Sequence, residues 1–461
     1  MFKPETYFQR RQRLMTEMDK GLILLLGNEE SPKNYFDNTY RFRQDSNFLY
    51  FMGLDQPHLA AILDIDSQTT TLYGDDPDII HVIWMGDMPS VAALAERVKV
   101  PHTAPYERLA SDLKAAQEAG RPIHFLPPYR GDNKIKLHHW LNMPIHTLAQ
   151  KASIPLIKAV VAQASIKSPE EIMEIAKAVN VSGAMHVAAM KAAKAGMREA
   201  ELAGMIEGIA VAHGGDLSYP VILSVNGQIL HNHYHGNILQ EGQMVLVDSG
   251  AETATHYAGD ITRTFPVSAT FTQKQKDIYE IVLKAEVDCI ANAKAGTRFL
   301  DVHLQAARII TEGLQALGLM KGDPAEAVAQ GAHALFFPHG LGHMLGLDVH
   351  DMEDLGEQYV GYTDELKRSE QFGLRYLRLA RALEPGFVLT VEPGIYFIPQ
   401  LIELWKKEKK FMDFIQYDKL ESYLDFGGIR IEDNVLVTAE GPVVLGNPIP
   451  KTIAEVEALR S

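Results

Sequence analysis

One cysteine in 461 residues, Cys289, leaves no partner for an internal disulfide, and its setting in EIVLKAEVDCIANA is that of a buried helix position. A reducing compartment fits, and a cytoplasmic location is expected. Long apolar runs are missing too. None approaches the ~18 residues that a membrane span needs, and no apolar stretch of a secretory signal follows the basic start MFKPETYFQRRQRLMTEM. Basic charge is outnumbered: 44 Lys and Arg against 59 Asp and Glu give a net charge of -15. With a pI near 5.6, the electrostatic sign is wrong for binding nucleic acid or an anionic membrane. Several catalytic signatures are absent as well. There is no G-x-S-x-G elbow, LLLGNEES lacks the Gly-Lys-Ser/Thr of a phosphate loop, and Gly340 rather than Glu follows His339, so His339 to His343 is not a zincin helix. No short-period repeat or low-complexity tract is visible.

What is present is ordinary globular material, 46% hydrophobic and 22% charged, in a chain too long for one typical domain. Residues 1–165 read as an α/β domain. Pro4 to Lys20 is an amphipathic helix; GLILLLGN, FLYFMGLD, LAAILDID, TTTLYG, HVIWMGDM and IHFLPPYR read as short strands, with helical stretches near Ser90 to Lys99 and Tyr106 to Ala119. Residues 166–461 form a second domain. It opens at SPEEIMEIAKAVNVSG, where Ser168, Pro169 and Glu171 make a capping box at the head of a long helix, and Thr272 with Gln275 repeats the device before FTQKQKDIYEIVLKAEV. Helices alternate there with the strands PVILSV, MVLVDSG, DITRTFPV, FVLTVEPGIYFI and FGGIRIEDNVLV, which predicts an α+β domain with a largely antiparallel sheet.

The second domain carries the chemistry. Asp248 ends one apolar strand and Asp260 opens the next, with no Arg or Lys beside either in its run. An antiparallel hairpin would bring the two together. Buried carboxylates need a cationic partner, although two aspartates capping a turn would also fit. Three further pieces decide for a metal: HALFFPHGLGHMLGLDVHD with His339, His343 and His350, FVLTVEPGIY with Glu392, and GGIRIEDNVLV with Glu432. Four carboxylates and one imidazole balance two divalent ions, and oxygen-rich ligation suits Mn²⁺ best, with Zn²⁺, Co²⁺ and Fe²⁺ compatible. Water held between such ions is a ready nucleophile near neutral pH. That points to hydrolysis.

The order VDSG, GDITRTFP, PHGLGHMLGLDVHD, LTVEPGIY, GGIRIEDN resembles the pita-bread metallopeptidases that cleave Xaa-Pro bonds, aminopeptidase P and prolidase. YRFRQDSNFLYFMGL is similar to their smaller, non-catalytic domain. The resemblance implies metal ligands Asp248, Asp260, His343, Glu392 and Glu432, with Glu392 doubling as the group that moves the proton. It implies that His231 and His350 face the substrate, that His339 stands nearby in contact with substrate or orienting another group, and that the protein is a homodimer. His233 and His235, in the loop HNHYHG, read as solvated, and the segment between the two aspartates is one residue longer than the group's. FGLRYLRLARALEPG and the tract PQLIELWKKEKKFMDFIQYDKLESYLDFGG resemble prolidase insertions, which makes Arg378 the residue that takes a dipeptide's carboxylate. Arg430 is expected beside the metal carboxylates and Tyr396 on the cleft wall. The expected activity is cleavage of Xaa-Pro dipeptides, with Xaa-Pro aminopeptidase activity on longer peptides as the alternative. Pita-bread binding modules and creatinase-like enzymes that lack metal share the fold, but here all five ligand positions are filled.

Overall fold

The apolar run LILLL forms strand β1 (Leu22–Leu26), buried along most of its length because it lies inside a sheet rather than at its edge. The computed structural model describes residues 1–460. They fall into two compact units, one of Met1–Ala164 with Asp354–Tyr359 and the other of Ser165–Glu353 with the chain from Val360 onward.

In the first unit β2 (Ala60–Asp64), β3 (Thr69–Tyr73), β4 (His102–Ala104) and β5 (Ile123–His124) join β1 in the order β4-β3-β2-β1-β5. Strands β1, β2 and β3 run antiparallel in turn, while β4 and β5 add parallel edges. Two expected strands are helices. FLYFMGLD lies in the helix Ser46–Met52, opened by the Asp45 side chain accepting from Phe48 N–H and closed by Gly53 at φ +64°. HVIWMGDM lies in the helix Ile79–Met85, opened by Asp78 accepting from His81 N–H and closed by Gly86. A short apolar run does not distinguish strand from buried helix; here the aspartate before it and the glycine after it settle the matter.

The second unit is built on helices whose starts the sequence marks. Ser168 caps the helix Pro169–Ala192 and Thr272 caps Gln273–Asn292, each in a complete capping box. Between and after them lie β6 (Asp216–Leu217), β7 (Ile222–Ser224), β8 (Met244–Asp248), β9 (Ala251–Glu252), β10 (Thr262–Pro266), β11 (Val388–Val391), β12 (Gly394–Tyr396), β13 (Gly428–Arg430), β14 (Asp433–Val437) and β15 (Pro442–Val444). All strand pairings in this unit are antiparallel, in the sets β10-β8-β7, β11-β14-β15, β12-β13 and β6-β9. Two strands expected to be continuous are each split in two. FVLTVEPGIYFI breaks at Glu392-Pro393 and FGGIRIEDNVLV at Ile431-Glu432, so β11 pairs with β14 and β12 with β13. Proline has no N–H for the ladder. That accounts for the first break; at the second, Glu432 N–H bonds to Thr262 O of β10, and both glutamates sit at breaks rather than within strands. Among the described residues no helix is long and apolar enough to cross a membrane.

Candidate metal centre

The hairpin expected from the two aspartates is present with a shifted start. Strand β10 begins at Thr262, which pairs with Asp248 of β8, and Asp260 lies two residues before it. The connection between the aspartates folds tightly on itself: a Cβ at Gly250 would stand 1.8 Å from the Gly259 carbonyl oxygen, and one at Gly259 would meet Ser182 Oγ at 2.8 Å and the backbone of the helix Pro169–Ala192. Asn434 clamps the backbone at Asp260, its Oδ1 accepting from Asp260 N–H at 3.0 Å and its Nδ2 donating to Asp260 O. Tyr219, which no sequence pattern singled out, places its hydroxyl 2.6 Å from Asp248 Oδ1 and 2.5 Å from Asp260 Oδ1. A single phenol proton is shared between the two carboxylates.

Glu432 joins them through Thr262, whose Oγ1 donates to Glu432 Oε2 at 2.6 Å while Glu432 N–H bonds to Thr262 O. His343 donates Nδ1–H to the Met344 carbonyl at 3.0 Å. That leaves Nε2 facing Asp260 at 3.4 Å and Glu392 at 3.6 Å. Ligand atoms of Asp260, His343 and Glu432 lie within 4.8 Å of one another. This is the arrangement of a metal-binding imidazole, oriented by a carbonyl on one nitrogen and presenting the lone pair of the other. The electrostatics agree. Burial pushes Glu392 up to about 8, with Asp260 and Asp248 adding repulsion and Arg430 opposing it. Burial and the same neighbours hold Glu432 far above the carboxylate range, and burial raises Asp260. Carboxylates crowded out of water protonate or acquire a cation. His343 is pushed down to about 4, chiefly by burial, which keeps it neutral and able to ligate.

A cavity of about 580 Å³ opens in front of these groups, and His231, His339, His350, Arg378, Glu392 and Arg430 are among the residues that line it. His233 is exposed, as read, and also lines the cavity, whereas His235 faces the Val221 carbonyl at 3.1 Å. Tyr396 is fully buried behind the wall rather than on it, in a chain of hydrogen bonds with one direction. Arg430 Nη1 donates to Tyr396 Oη at 2.8 Å, Tyr396 donates to His339 Nε2 at 2.9 Å, and His339 Nδ1–H donates to Gly340 O at 2.8 Å. Arg430 Nη2 also pairs with Asp248. His339 thus has a partner on each nitrogen while it lines the cavity. His350 Nδ1 lies 2.5 Å from Glu353 Oε2, and Arg378 Nε 3.4 Å from Glu353 Oε1. Of the two other arginines in FGLRYLRLARALEPG, Arg375 lies over the Tyr376 ring and Arg381 reaches Ser165. Tyr219, Thr262, Asn434 and Glu353 are the site residues that the motifs did not announce. Thr262 and Asn434 lie inside quoted motifs and Glu353 three residues after His350, whereas Tyr219 had no positional hint.

Carboxylates and one imidazole converging behind a peptide-sized cavity define a metal-dependent hydrolase. Residues 173–439 match the model of metallopeptidase family M24 and residues 7–124 that of the aminopeptidase P N-terminal domain. The chain belongs to metallopeptidase family M24 and is a peptidase that uses divalent metal, with an α/β N-terminal domain before an α+β catalytic domain of pita-bread fold. It is 36% identical over 434 residues to a probable Xaa-Pro aminopeptidase of Fusarium vanettenii, covering 92% of this chain and 88% of that one. It is 32% identical over 474 residues to the Xaa-Pro dipeptidase of Homo sapiens, covering 97% and 92%. The structure of zinc-substituted E. coli aminopeptidase P in complex with product superposes with a TM-score of 0.82 at 31% identity, over 100% of this chain and 98% of that one.

Proposed function

We propose that this enzyme hydrolyses the Xaa-Pro peptide bond and that its principal substrates are Xaa-Pro dipeptides. The observation that carries the dipeptide reading is Arg378, whose guanidinium lies on the wall of the same cavity as Glu392 and His350. A dipeptide ends in a free carboxylate just beyond the proline, and a guanidinium is the group that grips one. In this reading residues 166–461 carry the catalysis and residues 1–165 do not. Asp248, Asp260, His343, Glu392 and Glu432 would hold two divalent ions, and the oxygen-rich set with a single nitrogen suits Mn²⁺, with Zn²⁺, Co²⁺ and Fe²⁺ compatible. When bound, the ions lower the pKa of water towards neutrality and polarise the scissile carbonyl.

The chain's own residues do the rest. Glu392 takes the proton from the attacking water and delivers it to the proline nitrogen as the C–N bond breaks. His231 hydrogen-bonds the carbonyl oxygen as charge develops on it, while His350, its Nδ1–H held by Glu353, turns Nε2 to the scissile peptide as an acceptor. Arg378 pairs with the proline carboxylate, which fixes the scissile bond against the carboxylate cluster. Arg430 and Tyr396 hold Asp248 and His339 in place. A homodimer belongs to the same reading: the exposed apolar helix Ile79–Met85 has no buried residue and is the surface a second copy would cover. A cytoplasmic setting is in keeping with the lone, buried Cys289.

The rival, an Xaa-Pro aminopeptidase acting on longer peptides, draws on the names of the Fusarium and E. coli relatives. Hydrolysis of Ala-Pro and Ala-Pro-Ala, with Mn²⁺ and then with chelator, separates the two. Cleavage of the dipeptide alone, lost with chelator, is the expected result; preference for the tripeptide would establish the aminopeptidase and remove the carboxylate role from Arg378.

A further inference from the structure

The stretch His350-Asp351-Met352-Glu353 turns back on itself. Glu353 N–H bonds to His350 O at 3.2 Å, and Met352, neither glycine nor asparagine, is held at φ +63°. A side chain in the left-handed region is uncommon and costs free energy, and such residues gather where a neighbour must be aimed. What this turn aims is the Glu353 carboxylate. One oxygen accepts from His350 Nδ1–H at 2.5 Å and the other faces Arg378 Nε at 3.4 Å. With Nδ1 engaged, the His350 ring cannot flip, and Nε2 is the nitrogen left for the cavity. The ring is braced from the other side by His343, edge-on at 4.2 Å between centroids. The guanidinium of Arg378, on a flexible stem, gains a fixed plane from the same carboxylate.

We propose that Glu353 is a positioning residue that holds His350 and Arg378 as one unit, tying the group that faces the scissile peptide to the group that grips the proline carboxylate. The inference rests on the Xaa-Pro reading for the substrate ends it names, while the Glu353 contacts themselves do not depend on it. A substrate carboxylate seated on Arg378 is then read out at His350 through a single side chain, which favours peptides whose carboxylate lies one residue beyond the scissile bond.

The test uses the metal-loaded full chain and two variants. Glu353→Leu keeps the volume and removes both acceptors. Glu353→Gln keeps one acceptor, enough for one partner but not both. With Ala-Pro, Glu353→Leu is expected to raise KM and lower kcat, each about tenfold, the size of a lost charge-assisted hydrogen bond. With Ala-Pro amide, which has no carboxylate for Arg378, only kcat falls. In an Arg378→Ala background the KM effect of Glu353→Leu disappears, because the two residues act through one contact. Glu353→Gln restores either the KM or the kcat effect, not both. An equal loss on both substrates, or a KM effect that persists undiminished without Arg378, overturns the coupling. Nitrogen NMR of labelled histidine, with His350 assigned by its absence in His350→Asn, supplies a readout free of substrate: Nδ1 is the protonated nitrogen in the parent enzyme and loses that preference in Glu353→Leu. An unchanged His350 signal refutes the positioning role whatever the activity. If the parent enzyme cleaves neither peptide, the Xaa-Pro reading fails, and the NMR result alone decides the Glu353 contact.

Discussion

Arg430 gives the wall of the cavity its order at the scale of single residues. It pairs with Asp248, donates to Tyr396, and through Tyr396 fixes His339 in one tautomer. Arg378 has the simpler task, and its removal separates binding from chemistry. Arg378→Ala is expected to raise KM for Ala-Pro by about 10- to 100-fold, the range of a charge-assisted pair, and to leave KM for Ala-Pro amide within about twofold; equal effects on both would refute the carboxylate assignment. A second expectation concerns protons. Without an ion, burial pushes Glu392 up to about 8 and raises Glu432 well above the carboxylate range, so at pH 7 Glu392 is largely protonated and must ionise to ligate. Uptake of Mn²⁺ by the stripped protein at pH 7 therefore releases protons, and the release shrinks as pH rises above 8. Titration calorimetry in buffers of different ionisation heat measures it, and a heat independent of buffer would contradict it. The candidate ligands could be picked from the chain because a carboxylate next to an apolar run stands out. Tyr219 and Asn434 could not, since each is an ordinary polar residue until a partner distant in the chain folds against it.

The elements matter because they deliver ligands from breaks and turns. Strands β11 and β12 are separated at Glu392-Pro393 and β13 and β14 at Ile431-Glu432, so each glutamate leaves the ladder where the strand changes partner. The turn between Asp248 and Asp260 is equally exacting. Gly250→Ala would bring a methyl group to 1.8 Å from the Gly259 carbonyl, and relief requires the turn that carries both aspartates to move. Destabilisation of about 1–3 kcal/mol is expected from such overpacking, together with metal content well below that of the parent on elemental analysis; full metal occupancy would show that the turn adapts. Helix starts were the most legible elements. The capping boxes at Ser168 and Thr272 appear as read, because two residues of fixed type at fixed spacing carry the signal. Ser168→Ala is expected to lower stability by about 1 kcal/mol, measurable in urea as a lower midpoint at unchanged slope. The two apolar runs read as strands in the first unit failed for the opposite reason: their identity lay in the aspartate caps Asp45 and Asp78, just outside them.

At the scale of the whole molecule, the helix Ile79–Met85 stands out for leaving Ile79 70%, Ile83 67% and Trp84 81% exposed. Sedimentation is expected to give twice the 51.3 kDa of one chain, and Trp84→Glu to shift the equilibrium towards monomer at low concentration; a monomer in the parent protein would overturn the dimer reading. Domain class and order could be read from motif succession, whereas the relation of one copy to another had no local signal in the sequence. The isolated bridge between Thr262 and Glu432 has a consequence in time. Asp248 and Asp260 leave the ribosome long before His343, and Glu432 later again, so the ion-binding cluster depends on contacts of long sequence separation, which form slowly. For much of its synthesis the chain carries exposed aspartates with nothing to close around them. The cluster therefore cannot close before residue 432 has been made and has folded back onto Thr262.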